Sequence, residues 1–364
     1  MRPRARDLGI PFRGTPGAWN AITDVPGVEV GYATVLGGEA ASGAPVPAVR
    51  TGVTMIFPRG KASYDPVFAG TFTLNGAGEM TGLQWVQESG FLESPIGITN
   101  THSVGAVHEA IVRWQVRERK MFGVFSLPLV AETFDGLLSD VNGFHVREEH
   151  VVAAINAASS GPVAEGNVGG GTGMCLFQWK GGSGTSSRVV EGHTVAAFVQ
   201  GNFGRRADAV IAGVPVGTLL GDDEITTNAW ADFGTIVGRG SIIVVLATDA
   251  PLMPHQLDRL AKRAALGIAR TGGNGGNLSG DIIVAFSTAN PGAARTGAAS
   301  VTLSTLSNAA LDPLFGAAAD VTEEAIVNAL VAAETMTGLE GRTVVSIPFA
   351  MLEGVLRAHG RLEC

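Results

Sequence analysis

Apolar residues in this chain fall into short runs separated by polar, glycine-rich stretches. Residues 53–57, 122–129, 194–200, 209–214, 241–247, 281–287 and 344–347 form such runs. Their length and their Val, Ile and Phe content predict strands, many of them buried on both faces. Three further segments carry a helical period. Residues 103–117 place Val104, Val107, Ile111 and Val112 on one face, with Ser103 as the expected cap. Residues 254–269 put Pro254 at the first helical position and turn Leu257, Leu260, Ala261, Ala264 and Ile268 toward a core. Residues 323–336 are Ala-rich and free of breakers. Segments 13–17, 37–47, 181–187 and 271–277 read as loops. The sum is a layered mixture of strands and helices, with no repeat of fixed period and no long linker.

Composition narrows the function. A chain of 364 residues can bury a large core, as one domain or two fused halves. Its 51 glycines and 17 prolines stay below the level of a disordered chain, so they imply tight turns and close backbone approaches. The net charge of −8 comes without any basic run, which argues against a nucleic-acid partner. Arg2, Arg4, Arg6 and Arg13 open the chain with no apolar segment between them, so no signal peptide is expected. No apolar run reaches the roughly 18 residues of a membrane span. Cys175 and Cys364 are too few for a disulfide framework or a cysteine metal cluster. A cytoplasmic protein without a metal or organic cofactor is the expectation.

Several common chemistries fail at motif level. No serine sits in a Gly-x-Ser-x-Gly elbow. Gly169-Gly170-Gly171-Thr172-Gly173 lacks the lysine of a phosphate loop and does not fit the dinucleotide pattern. His108-Glu109 is followed by Val112 where a zinc helix needs a second histidine. His102 and His108 are read as a helix and its cap region near the surface. Gly181-Gly182-Ser183-Gly184 reads as a solvated turn.

One constellation survives. In Gly238-Arg239-Gly240-Ser241-Ile242-Ile243-Val244-Val245 a loop ending in Gly-Ser runs straight into a buried strand. Breaking the Gly240–Ser241 bond would give Ser241 a free α-amine beside its own hydroxyl. A serine hydroxyl needs a base to take its proton. An α-amine, with a pKa of about 8, can be that base, and no histidine is then required. Gly240, without a side chain, would let the hydroxyl approach its carbonyl. Taken alone, a Gly-Ser turn before a strand is also ordinary loop chemistry.

Longer motifs add to this. Residues 20–28 run Asn20-Ala21-Ile22-Thr23-Asp24-Val25-Pro26-Gly27-Val28, and residues 74–82 contain Asn75-Gly76-Ala77-Gly78-Glu79. Residues 95–101, Glu132-Thr133-Phe134-Asp135-Gly136 within 130–136, and 165–173 follow in order. Gln200-Gly201-Asn202-Phe203-Gly204, residues 247–252, Ser279-Gly280-Asp281 and residues 285–290 close the series. Over nearly its whole length the chain resembles the L-aminopeptidase/D-amidase-esterases and β-peptidyl aminopeptidases, a family of self-processing serine peptidases.

The resemblance implies a four-layer α/β/β/α sandwich, cut into a large subunit, 1–240, and a small subunit, 241–364. Ser241 matches the residue that both processes the chain and attacks the substrate. Ser279 and Asp281 match a relay that orients the Ser241 hydroxyl, although Ser-Gly-Asp is also plain turn chemistry. Asp281 is one methylene shorter than the glutamate associated with that place. Asn202 matches the oxyanion-hole asparagine, and Glu132 the acid that binds the free amine of the substrate. Asn100 and Gly169–Gly173 are expected at the pocket border. The implied activity releases small N-terminal residues, α- or β-amino acids, from peptides, amides and esters, by a homo-oligomer of processed units. Two rivals remain at this stage. One is an N-terminal-nucleophile acyltransferase of the ornithine acetyltransferase type. The other is an uncut binding protein.

Overall fold

The computed structural model describes residues 3–220, 240–295, 297 and 299–362. Gly238, Arg239 and Cys364 lie outside the described residues. In chain order the strands are β1 (Glu29–Gly37), β2 (Val49–Phe57), β3 (Val67–Gly76), β4 (Phe91–Leu92), β5 (Ile96–Asn100), β6 (Leu129–Thr133), β7 (Cys175–Leu176), β8 (Trp179–Lys180), β9 (Gly182–Val190), β10 (His193–Asn202), β11 (Ser241–Thr248), β12 (Gly280–Ser287), β13 (Met336–Thr337) and β14 (Thr343–Val344). The helices are α1 (Leu83–Ser89), α2 (Val104–Glu118), α3 (Glu148–Ala157), α4 (Val216–Leu219), α5 (Pro254–Arg270), α6 (Asp312–Ala332) and α7 (Phe349–Ala358).

Two sheets face each other. One has the order β1-β2-β5-β6, the other β4-β3-β12-β11-β10-β9. The strand that starts at Ser241 shows why they stack. In β11, Ile242, Val244 and Leu246 enter one apolar core, whereas Ile243, Val245 and Ala247 enter another. A period of two with both faces apolar requires cover on both sides. Helices α5 and α6 cover the outer side of the six-stranded sheet. Residues of the opposite sheet, among them Ile56, Ile96, Ile98 and Leu129, cover the inner side. Helices α2 and α3 close the far face of the four-stranded sheet over Val53, Met55 and Val130. The order of layers is thus α/β/β/α, as expected from the resemblance.

Helix α5 has Pro254 in its first turn and buries Leu257, Leu260, Ala261, Ala264 and Ile268, as the periodicity required. Other expectations need correction. Residues 122–128 are not a strand; Val124 and Phe125 are exposed there, and strand pairing begins only at Leu129, after Pro128. Proline has no N–H to give a ladder. Residues 209–214 form a reversal with a single Ile211–Val214 bridge, turned by Ala212 and Gly213 at positive φ. The run 344–347 contributes only Val344 to the two-residue strand β14, ahead of Pro348.

The third helix begins at Asp312, eleven residues before the expected start at 323, with Pro313 in its first turn, and ends at Ala332 because Ala333 is extended. Ser103 makes no cap bond; its hydroxyl is buried and unpartnered beneath a 3-10 turn, Thr101–Ser103, that leads into α2. Residues 182–187 are not a loop but the buried start of β9. The glycines there serve packing. A Cβ on Gly184 would fall 2.0 Å from the carbonyl oxygen of Ala325, so α6 can lie on β9 only without one. Among the described residues no helix is long and apolar enough to cross a membrane.

Candidate active site

The ends of β10, β11 and β12 meet where the chain enters Ser241. Asn202 ends β10 and pairs directly with Ser241 at the head of β11, in antiparallel register. Strand β12 runs parallel to β11 on its other side, with Ile242 opposite Asp281. A register shift follows Asp281 on the side facing β3. Sheet pairing therefore brings four expected residues together from positions far apart in sequence. Ser241, Ser279 and Asp281 are all buried.

Hydrogen bonds set the local geometry. The N–H of Gly280 donates to Ser241 Oγ at 3.0 Å. The Ser279 hydroxyl lies within bonding distance of two acceptors, the Gly240 carbonyl oxygen and Asp281 Oδ1, the latter at 2.6 Å. One hydroxyl proton serves one of the two at a time. Despite its shorter side chain, Asp281 reaches Ser279 directly. Burial pushes its pKa up, against the lowering effect of bonds from Ser279 and the N–H of Ile242. The resemblance implied a relay from Ser241 through Ser279. Here Ser279 lies against the Gly240 carbonyl as well as Asp281, and the Gly280 N–H holds the Ser241 hydroxyl. Gly240 is forced by space: a Cβ there would sit 1.9 Å from the carbonyl oxygen of Asn202.

The Asn202 amide is fixed at both ends. Cys175 N–H donates to its Oδ1 at 2.7 Å, and its Nδ2 donates to the Phe134 carbonyl at 2.8 Å. Opposite partners decide which end is nitrogen. Nδ2 carries two hydrogens, and Phe134 takes one. The other is available to a ligand oxygen.

Glu132 comes from the other sheet, in β6, and is buried rather than on the surface. Its Oε1 accepts the N–H of Glu79 at 3.1 Å, and its Oε2 accepts the Thr101 hydroxyl. Burial raises its pKa despite those bonds. Gly78 joins it to the backbone beside Ser241. A Cβ on Gly78 would lie 3.0 Å from Gly280 Cα and 3.2 Å from Glu132 Oε1. Only a residue without a side chain separates the carboxylate from the loop that holds Ser241.

Asn100 is buried one strand away, bonded to Thr51 and Asp135. Gly169–Gly171 form a 3-10 turn packed on β2, with no room for a Cβ on Gly170 beside Gln200. Their role is packing. His102 is stacked on Phe144, and among the described residues no group of His, Cys, Asp or Glu could hold a metal ion. Sequence reasoning did not reach Thr101, the N–H of Gly280, or the carbonyl of Phe134. Two of these act through the backbone, which leaves no residue-type signal.

The model of peptidase family S58 matches residues 20–344. The chain belongs to peptidase family S58. It is 53% identical over 370 residues to "Beta-peptidyl aminopeptidase BapA" of Sphingosinicella microcystinivorans, covering 99% of this chain and 93% of that protein. Among solved structures it is similar to an L-aminopeptidase D-Ala-esterase/amidase from Ochrobactrum anthropi, described as a variant of the Ntn hydrolase fold. The TM-score is 0.90 at 47% identity, with 100% of both chains covered. A Burkholderia sp. beta-aminopeptidase gives a TM-score of 0.87 at 46% identity, covering 98% of this chain and 99% of that one. This S58 chain is therefore a serine peptidase, an aminopeptidase with an N-terminal nucleophile fold.

Proposed function

We propose that the chain cuts itself between Gly240 and Ser241 and then removes small N-terminal residues from peptides, amides and esters. The observation that carries this reading is the grouping at the bond itself. The Ser241 hydroxyl, the Ser279 hydroxyl on the Gly240 carbonyl and the Asn202 amide converge where β11 begins.

In the first reaction Ser241 Oγ bonds to the Gly240 carbonyl carbon and the C–N bond breaks. The proton of the hydroxyl ends on the released α-amine. Water then splits the ester, leaving a Gly240 carboxylate on residues 1–240 and a free Ser241 on residues 241–364. In turnover, that α-amine takes the hydroxyl proton as Ser241 attacks the substrate. Asn202 Nδ2 donates to the developing oxyanion, a contribution of roughly 3 kcal/mol for one such donor. The leaving amine takes the proton, and water clears the acyl-enzyme.

Glu132 pairs with the free ammonium of the substrate, so a blocked amine would leave a buried carboxylate unpaired. Its closeness to Gly280 restricts the acyl group to one small residue, an α- or β-amino acid. The names of the relatives support both classes. A homo-oligomer of processed units belongs to the same reading, as does a cytoplasmic setting, which suits the buried free thiol of Cys175.

Ser241→Ala tests the reading. The variant should stay a single band of 37.3 kDa on a denaturing gel and show no hydrolysis of alanine p-nitroanilide, whereas the parent should give two bands and turnover. A cut and active variant would remove Ser241 from the mechanism.

A further inference from the structure

A buried polar cluster lies under the amine site, and the chemistry above does not use it. Asp135 follows β6, three residues after Glu132, and is fully buried. Its Oδ2 accepts Asn100 Nδ2 at 3.1 Å. Asn100 Nδ2 also donates to the Thr51 hydroxyl at 2.9 Å. Asn100 is also buried and stands opposite Thr133 in the β5–β6 ladder. Each residue of this pair keeps one buried oxygen without a donor, Oδ1 of Asp135 and Oδ1 of Asn100.

An ionised carboxylate and an amide carbonyl are both acceptors, so these two oxygens cannot satisfy each other. A buried acceptor left bare is costly. A protonated carboxyl changes the count. Its O–H can donate to the amide carbonyl while the amide N–H donates to the second carboxyl oxygen. That closes a two-bond ring, and one of the two bonds is already in place.

We propose that Asp135 is a positioning residue that holds a proton, closing this acid–amide pair with Asn100 and leaving Glu132 as the ionised carboxylate of the amine site. The inference rests on the aminopeptidase reading for the role of Glu132, but the proton itself does not. Glu132 and Asp135 are two buried carboxyls three residues apart, and different surroundings separate their pKa values. Burial pushes Asp135 up to about 6, and the charge of Glu132 adds to the rise. A bond donated by the neutral form moves it further the same way. The other titratable groups toward it are Cys175 in β7, whose thiol is pushed up to about 12 by burial, and Lys180, its partner in β8. The Lys180 ammonium is spent on the carbonyls of Met174 and Gly181. Were Asp135 ionised, its charge would favour protonation of Glu132, and a neutral Glu132 cannot hold an ammonium.

The test is infrared spectroscopy of the full chain carrying Ser241→Ala, at about pH 6, with Asp135→Asn and Glu132→Gln added separately. The expected result is a protonated-carboxyl C=O stretch that Asp135→Asn removes and Glu132→Gln leaves. Buried Glu165, pushed up to about 7, is expected to add a stretch that both substitutions leave; a spectrum from which Asp135→Asn removes no stretch overturns the proposal. This reading needs neither cutting nor turnover, so its failure is distinct from failure of the aminopeptidase reading. In the processed enzyme, Asp135→Ala should raise KM for alanine p-nitroanilide by about tenfold with a smaller change in kcat, and Asp135→Asn, which can rebuild both bonds, should recover most of it. Equal loss in the two variants would show that an ionised Asp135 is needed.

Discussion

The two sheets bring opposite kinds of order to one site. The six-stranded sheet places Ser241, Ser279, Asp281 and Asn202 by strand register, and backbone groups fix their polar atoms: Gly280 N–H, Cys175 N–H and the Phe134 carbonyl. The four-stranded sheet contributes Glu132, and beside it buried oxygens on Asn100 and Asp135 lack donors. One side is defined by geometry and the other by charge. Changes in the first should therefore act on kcat and on cutting, and changes in the second on KM and its pH dependence.

The largest effect is expected from Gly240→Val. Its Cβ would fall 1.9 Å from the Asn202 carbonyl oxygen, which belongs to the strand backbone and cannot move aside. The variant should remain uncut on a denaturing gel, and a normally processed product would mean that the bond is not cut in this geometry. Next comes Asn202→Ala in the processed enzyme. Loss of one preorganised donor costs about 10²–10³ in kcat, with KM nearly unchanged. A rise in KM at constant kcat would move Asn202 to the charge-defined side and break the comparison.

The division also separates what the sequence could reveal. Residues 241–247 and 281–287 were legible as strands because both faces of each are apolar, and so the frame around Ser241 was legible too. The periodicity of 254–269 likewise marked a core helix. Residues 182–187 were not legible. A strand of Gly and Ser has no apolar pattern, and its place is set by α6 pressing on Gly184. The run 122–129 failed for the converse reason, since apolar composition cannot tell an exposed loop from a strand when pairing is what decides. At the site, Ser241, Ser279, Asp281, Asn202 and Glu132 were legible as candidates through their motifs. The burial of Glu132 was not, because it depends on Gly78, Thr101 and Glu79 converging from separate segments.

A smaller effect than that of Asn202→Ala is expected at Glu132. Glu132→Gln keeps the shape but loses the charge that pairs with an ammonium. Interactions of this kind are worth about 1–3 kcal/mol, so KM for alanine p-nitroanilide should rise by roughly 10- to 100-fold while kcat changes little. Loss of cutting in the same variant would show that Glu132 supports the nucleophile side as well.

The smallest and sharpest prediction concerns pH. Burial raises the pKa of Glu132 from its ordinary 4.5. An amine substrate needs the ionised form, so KM should climb as pH falls through that raised value, and Glu132→Gln should lack the climb. Stability runs the other way. A carboxyl whose folded pKa is raised favours the folded state fully below its unfolded pKa, and that contribution is lost as pH rises through the folded one. Melting temperature should therefore decline upward from about pH 4.5, and the decline should be shallower in Glu132→Gln. Asp281, raised by the same cause, is held by Ser279 and the Ile242 N–H inside the geometric side of the site. Asp281→Asn should flatten the stability slope too, yet leave the pH dependence of KM untouched. If both substitutions flatten both curves, the two sheets share one electrostatic unit, and the separation of geometry from charge does not hold.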